Sequence, residues 1–138
     1  RRSVSPRALR VFVEKRAEGR CEYCPAPQHV CAHCCFLEHV IPSVRGGSDA
    51  AVNRALAWAP CNLVRVAQVL GIDPDTGSEA PLFNRRTQAS AQHFGWGKDR
   101  QVLIRRTPMG RATVIALDMN SQFRKDARQI WFATGLLP

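Results

Sequence analysis

The first stretch of the chain carries apolar residues at helical spacing. Leu9, Phe12 and Val13 recur at intervals of three and four among mostly polar neighbours. Ser5-Pro6 is typical of a helix N-cap followed by the first helical position, where proline is tolerated because that N–H has no partner in the helix. The pattern therefore predicts a helix that starts after Ser5 and stops at Gly19.

The middle of the chain alternates between apolar runs and turn residues. The run from Phe36 to Ile41 precedes a turn-rich loop, and the pattern predicts two short strands joined by that loop. From Ala50 to about Leu70 the apolar spacing becomes helical, although Pro60 should interrupt it. The expected core positions of this helical stretch are Val52, Leu56, Leu63, Val66, Ala67 and Leu70.

The last third of the chain also has clear boundaries. Threonine and serine start helices because their side-chain oxygen accepts a backbone N–H of the first turn. The predicted elements are a turn over Asp73 to Gly77, a strand over Gln101 to Arg106, a helix from Thr107-Pro108 through Leu117, and a helix from Asn120-Ser121 that ends before Gly135.

Length and charge narrow the class of protein. The 138 residues fit one domain, residues 1–138, with a core of its own. The formal charge of +9 is spread along the chain, which favours a polyanionic partner. We find no run of membrane-spanning length and no signal-peptide pattern, so we expect a cytoplasmic protein that does not contact membranes. Because the chain begins Arg1-Arg2, we expect the natural N-terminus to lie elsewhere.

Five of the six cysteines fall within fifteen positions, which favours metal binding over a disulfide framework. Cys21 and Cys24 form a CxxC knuckle, and Cys61 lies downstream at a distance that suits the other half of a zinc site. The cysteines of the remaining set, Cys31, Cys34 and Cys35, also fit small buried core residues. Disulfide and core roles stay open beside the zinc interpretation.

The segment from Glu38 to Asn62 contains side chains suited to phosphodiester hydrolysis. His39 supplies a base that titrates near neutral pH, and Glu38 and Asn62 supply oxygen ligands for Mg²⁺ or Mn²⁺. Asn53 is placed to hydrogen-bond the loop or the imidazole and so to orient the base. Taken singly, the Glu-His pair also fits a surface pair, and the asparagines fit helix caps or turns.

The order of these residues resembles the HNH endonuclease motif in its ββα-metal form. The motif segments are Glu-His-Val-Ile-Pro (38–42), Gly-Gly-Ser-Asp (46–49), Asn53, Ala-Leu-Ala (55–57) and Pro-Cys-Asn (60–62). Further similarity to a bacterial subfamily with zinc knuckles covers nearly the whole chain, at 20–24, 71–77, 81–84, 93–94, 96, 107–108, 110–114, 117 and 120.

The resemblance implies an α+β single domain with a ββα-metal core at about residues 20–70. An N-terminal helix and a strand-and-helix extension at about 71–138 would flank it. It implies a DNA endonuclease in which His39 is the general base, Asn53 orients it, and Glu38 and Asn62 hold one Mg²⁺-class ion. Arg54 and Arg65 would grip phosphates, although solvated helix faces explain them equally well. Other basic pairs, at 85–86, 105–106 and 124–125, fit solvated charge better than recognition.

One departure from the family pattern concerns the zinc knuckle. Trp58 stands where the subfamily has a further cysteine, so one zinc thiolate is missing. The expected repairs are a fourth ligand from the cysteine-rich loop, or a site that is abandoned and filled by Trp58. The candidate fourth ligands are His29, Cys31, His33, Cys34 and Cys35.

Two other classes of function also fit the sequence. An inactive zinc-containing nucleic-acid-binding module would keep its DNA affinity without His39 and without Mg²⁺. A redox or metal-sensing protein built on Cys21 to Cys35 would instead depend on its thiols and bind DNA weakly.

Overall fold

Helices alternate with small antiparallel sheets in the computed structural model, which describes residues 5–30, 35–61, 69–98 and 100–137. This mixture is the expected α+β class. Within these ranges the strands pair as three separate two-stranded sheets, β1 with β2, β3 with β4 and β5 with β6. The helices are α1 (Pro6–Arg16), α2 (Ser90–His93), α3 (Pro108–Ala116) and α4 (Gln122–Ala133), and the strands are β1 (Cys35–His39), β2 (Arg54–Trp58), β3 (Leu70–Ile72), β4 (Glu79–Pro81), β5 (Phe94–Trp96) and β6 (Leu103–Arg105).

The three long helices begin at the residues that their caps predicted. Ser5, Thr107 and Ser121 each accept a hydrogen bond from the backbone N–H three residues on, at 3.2, 3.0 and 3.4 Å. The side-chain oxygen thereby satisfies one of the unpaired donors of the first turn. The longest helix, α4, has twelve residues, and no helix in the described ranges is long and apolar enough to cross a bilayer.

Helix α1 buries a narrower stripe than its sequence predicted. Val13 is completely buried and Leu9 is partly buried against the core. Phe12, which was expected in the same apolar set, is 55% exposed and lies under the Arg16 guanidinium. Leu9 and Val13 are four positions apart and form the buried line of the helix. Phe12 lies to one side of that line, next to solvent.

The hairpin of β1 and β2 confirms the expected pair of short strands joined by a loop, and it corrects the predicted helix at residues 54–58. Its register runs from Cys35 opposite Trp58 to His39 opposite Arg54, and a helical turn begins at residues 59–61. A short, continuously apolar run has no period that separates strand from helix, so the pairing with β1 decided the outcome. Leu56 is buried as expected, whereas Val52 and Leu70 are exposed, and Leu63, Val66 and Ala67 lie outside the described residues.

The β3–β4 hairpin turns through Asp73 to Gly77, where a turn was predicted. Gly77 adopts a φ of +71° and its N–H donates to the carbonyl of Asp73. Arg111 of α3 donates two hydrogen bonds to the Asp73 carboxylate, at 2.8 and 2.9 Å, and holds the pKa of that carboxyl well below its usual range. This pair fastens the hairpin to α3.

Candidate functional site

Three cysteine side chains meet in the core beside the β1–β2 hairpin. The sulfur atoms of Cys21, Cys24 and Cys61 all lie within 4.8 Å of one another, and all three residues are buried. The knuckle is closed by a hydrogen bond from the Cys21 N–H to the carbonyl of Ala26, and Cys61 lies in the helical turn after β2. These thiols have the chemistry and spacing to hold a metal ion such as zinc.

The three thiols shift one another's pKa in opposite directions. Burial raises the pKa of Cys24, and its hydrogen bonds to the other two sulfurs raise it further. The hydrogen bond to Cys21 likewise raises the pKa of Cys61. Burial also opposes ionisation of Cys21, but hydrogen bonds from Cys24 and Cys61 outweigh it and hold the pKa of Cys21 well below its usual range. Cys21 is therefore the thiol of the group that ionises most readily, and a bound metal ion needs its ligand thiols deprotonated.

The fourth ligand expected from the cysteine-rich loop is not identified among the described residues. Cys35 is buried in β1 but does not belong to the group of mutually close sulfurs, which is the only such group in the described ranges. His29 is exposed. Cys31, His33 and Cys34 lie outside the described residues.

An arginine from α4 reaches the cysteine cluster. Arg124 is 3% exposed, its Nη1 donates to the sulfur of Cys61 at 3.1 Å, and its guanidinium lies 5.4 Å from the ring centre of Trp58. The expectation that the pair at 124–125 is solvated is therefore wrong for Arg124. The sequence holds no local signal for this contact, because 63 positions separate Arg124 from Cys61 and only the fold brings them together.

His39 ends β1 at the mouth of the loop that precedes β2. Its side chain is 27% exposed, and its Nε2 lies 2.7 Å from Oδ1 of Asp49. Nη1 of Arg54 lies 2.8 Å from both ring nitrogens. Because a carboxylate only accepts and a guanidinium only donates, the consistent assignment puts the proton on Nε2 and the lone pair on Nδ1. His39 thus presents a basic nitrogen that Arg54 covers.

Asn53 braces the loop and does not contact the imidazole. Its Oδ1 accepts the N–H of Ile41 at 2.8 Å, and its Nδ2 donates to the carbonyls of Ile41 and Ser48 at 3.0 and 2.8 Å. Glycine is required at position 47, where two segments of the loop meet. A Cβ there would lie 1.7 Å from the Ile41 carbonyl oxygen. The buried amide therefore fixes the loop that carries Asp49, and its catalytic role stays a prediction.

Glu38 points inward, on the opposite side of the strand from His39. It is buried, and the hydroxyl of Tyr23 donates to its Oε1. Tyr23 lies between the two knuckle cysteines, so one side chain joins the cysteine cluster to the histidine-bearing strand. Asn62, the second predicted ligand of the catalytic ion, and Arg65 both lie outside the described residues.

Comparisons with protein-family models, curated proteins and solved structures gave no match. The resemblance to HNH endonucleases therefore stays a prediction that rests on residues of this chain. The support available for a function is the geometry of its own side chains.

A buried ion pair fixes the knuckle to its surroundings. The carboxylate of Glu22 accepts the N–H of Leu56 at 2.9 Å and pairs with the guanidinium of Arg86. Arg16 of α1 lies 3.6 Å from the same carboxylate. The expectation that the pair at 85–86 is solvated is wrong for Arg86. A local sequence pattern does not identify this contact, because its partners come from three distant segments.

Proposed function

We propose that this chain is a metal-dependent HNH-type endonuclease that hydrolyses DNA phosphodiester bonds with His39 as general base. The observation that carries the proposal is the setting of His39. It is partly exposed at a loop mouth, its Nε2–H points to Asp49, and its Nδ1 lone pair is held by the guanidinium of Arg54. A base for water activation needs an oriented lone pair, and in this proposal Nδ1 becomes reachable when Arg54 turns to the substrate.

Asp49 and Arg54 have complementary parts in this proposal. Asp49 accepts from Nε2 and stabilises the positive charge that the ring gains when Nδ1 takes a proton from water. Arg54 moves from Nδ1 to the scissile phosphate, because an anionic oxygen is a better partner for a guanidinium than a neutral imidazole. The water oxygen then bonds to phosphorus as the bond to the leaving oxygen breaks. The net charge of +9 supports a polyanionic substrate.

Metal ions have two separate places in the proposal. Zinc in the cluster of Cys21, Cys24 and Cys61 is structural. A Mg²⁺- or Mn²⁺-class ion held by Glu38 and Asn62 would stabilise the charge on the leaving oxygen. The carboxylate of Glu38 is a donor of the type these ions prefer, but it faces the inner side of β1 and accepts from Tyr23, so it must turn outward to hold an ion beside His39.

The test is cleavage of supercoiled plasmid with and without Mg²⁺ or Mn²⁺, at equal zinc content. His39→Ala should lose nicking, by about 10²- to 10⁴-fold, because it removes the base. The matched control is His29→Ala, since His29 is exposed in the 3₁₀ turn Gln28–Val30 and does not belong to the group of Cys21, Cys24 and Cys61. Equal activity of wild type and His39→Ala would contradict the proposal.

A second candidate is a nucleic-acid-binding module without catalysis. The position of Arg54 favours it, because a guanidinium at 2.8 Å covers the lone pair that a base needs. This candidate expects DNA affinity that His39→Ala leaves unchanged and that requires no Mg²⁺. Binding without nicking by a folded, zinc-loaded wild type would select it.

A further inference from the structure

The cysteine cluster has a buried cation as its neighbour. Removing a guanidinium from water is strongly unfavourable unless an anion compensates it. Arg124 is 3% exposed, and within the described residues its contacts are the sulfur of Cys61 and the ring of Trp58. In the same ranges, the carboxylates that form ion pairs do so with Arg10, Arg16, His39, Arg86 and Arg111. Among the described residues, the group placed to compensate Arg124 is therefore the cysteine cluster.

We propose that Arg124 is a positioning residue of the metal centre, which orients the Cys61 thiolate and balances the charge of a zinc-class ion bound by three cysteines. This inference rests on the proposed structural zinc site. Zinc with three thiolates has a net charge of about −1, and one guanidinium neutralises it. A hydrogen bond from Nη1 to a metal-bound sulfur also orients the remaining lone pairs of that sulfur. It thereby fixes the direction of the bond between the sulfur and the metal.

Trp58 and Arg124 act together in this arrangement. Trp58 stands where a further cysteine was expected, and it packs between Phe123, at 5.9 Å and nearly parallel, and Trp131, at 5.7 Å and edge-on. Its ring also supports the guanidinium of Arg124 through a cation–π contact at 5.4 Å. The rings of Trp58, Phe123 and Trp131 therefore hold the Arg124 guanidinium next to Cys61. The cluster has this cation as its neighbour, and Trp58 stands at the position where a further cysteine was expected.

Helix α4 supplies a matched control for this role. Its buried residues are Arg124, Arg128 and Trp131, which lie on one face at intervals of four and three. Arg128 is as deeply buried as Arg124, but its Nη1 donates to the carbonyl of Gln101 and to Asn120. Arg128 also interacts electrostatically with Cys24 and Cys61. Replacing it therefore removes a second buried cation near the cluster but keeps the hydrogen bond from Arg124 to Cys61.

The experiment measures zinc affinity by chelator competition for wild type, Arg124→Met, Arg124→Lys and Arg128→Met. We expect Arg124→Met to weaken zinc binding by about 10- to 100-fold. Arg124→Lys, which keeps the charge and a donor, should restore most of the affinity. With Co²⁺ in place of zinc, the sulfur-to-cobalt charge-transfer band should shift in Arg124→Met and stay in place in Arg128→Met, because only the first variant loses the N–H···S bond.

The outcomes separate this inference from the zinc site itself. Wild-type affinity and an unshifted band in Arg124→Met would overturn the role of Arg124 and leave the zinc site intact. Equal weakening by Arg128→Met, with no band shift in either variant, would reduce Arg124 to a packing residue. A wild type that binds no zinc would overturn both. If Arg124→Met does not fold, Arg124→Gln takes its place because it removes the charge with less loss of polarity, and wild-type zinc affinity in that variant would overturn the role of Arg124.

Discussion

Two groups of polar side chains converge beside the β1–β2 hairpin, and they differ mainly in burial. The sulfur atoms of Cys21, Cys24 and Cys61 are enclosed, with Arg124 beside them. His39 and Asp49 instead meet at a loop mouth, where the Asp49 side chain is 89% exposed. Water can screen a change of charge at the loop mouth but not inside the buried cluster. The first group therefore determines stability, and the second is suited to act on a partner.

The two groups are connected through the side chain of Tyr23. Tyr23, in the middle of the knuckle, donates to Glu38, and Glu38 precedes His39 on β1. Disturbing the cysteine cluster should therefore disturb the histidine site. Changes at the exposed histidine site should leave the cluster intact.

The largest effect is expected from Cys21→Ser. Structural zinc in small domains contributes about 10 kcal/mol of folding free energy, so the variant should lose zinc, most of its thermal stability and all nicking. Thermal unfolding with zinc quantification measures this. Cys35→Ser is the control, because Cys35 is buried but outside the group of close sulfurs. Equal zinc loss in Cys35→Ser would identify it as the fourth ligand and contradict the three-cysteine cluster.

Asn53→Ala should have the next largest effect. It leaves the N–H and carbonyl of Ile41 and the carbonyl of Ser48 without their amide partner, which costs about 1–3 kcal/mol. Urea unfolding measures the loss. Zinc content should stay at the wild-type level, since the amide lies on the loop side of the hairpin. Unchanged stability would mean that the loop does not depend on this brace.

Tyr23→Phe should be milder and tests the connection between the two groups. Loss of the hydrogen bond to the Glu38 carboxylate should destabilise the protein by about 1–3 kcal/mol. We expect nicking to fall while zinc remains bound, because only the hydroxyl that joins the knuckle to β1 is removed. Full nicking activity in this variant would show that the histidine site does not need the connection.

The smallest expected effect is a change in stability at acidic pH. The hydrogen bond from His39 holds the pKa of Asp49 below its ordinary value of 3.8. Its contribution to stability is therefore present above that value and is lost as the pH falls through the lowered pKa. Asp49→Asn should be slightly less stable than wild type at neutral pH, and the two stability curves should converge below about pH 4. Parallel curves in urea titrations would contradict this assignment.

Short sequence patterns correctly predicted those elements that depend on contacts between residues close in sequence. Ser5, Thr107 and Ser121 mark helix starts because the cap lies within three residues of its partner. The strand β2 lies within a stretch that was also predicted as helix, because four of its five residues are buried and the strand shows no alternation of buried and exposed positions. Its conformation depends on pairing with β1, which a pattern within the segment does not contain.

The same limit applies to the candidate site. The CxxC spacing and Cys61 predicted the group of three close thiols, since ligand spacing is written in the sequence. The partners of that group were missed, because Arg124 reaches Cys61 only through the packing of α4. Asp49 was assigned to a turn, and its contact with His39 depends on how the loop closes.

The most direct test of the account is chemical rescue of His39→Ala by imidazole in the plasmid nicking assay with Mg²⁺ or Mn²⁺. If His39 takes the proton from water, a small base in the space left by its ring should restore part of the lost activity, in proportion to the imidazole concentration. The His29→Ala control should not respond. Full activity of His39→Ala without imidazole would contradict the assignment of His39 as general base.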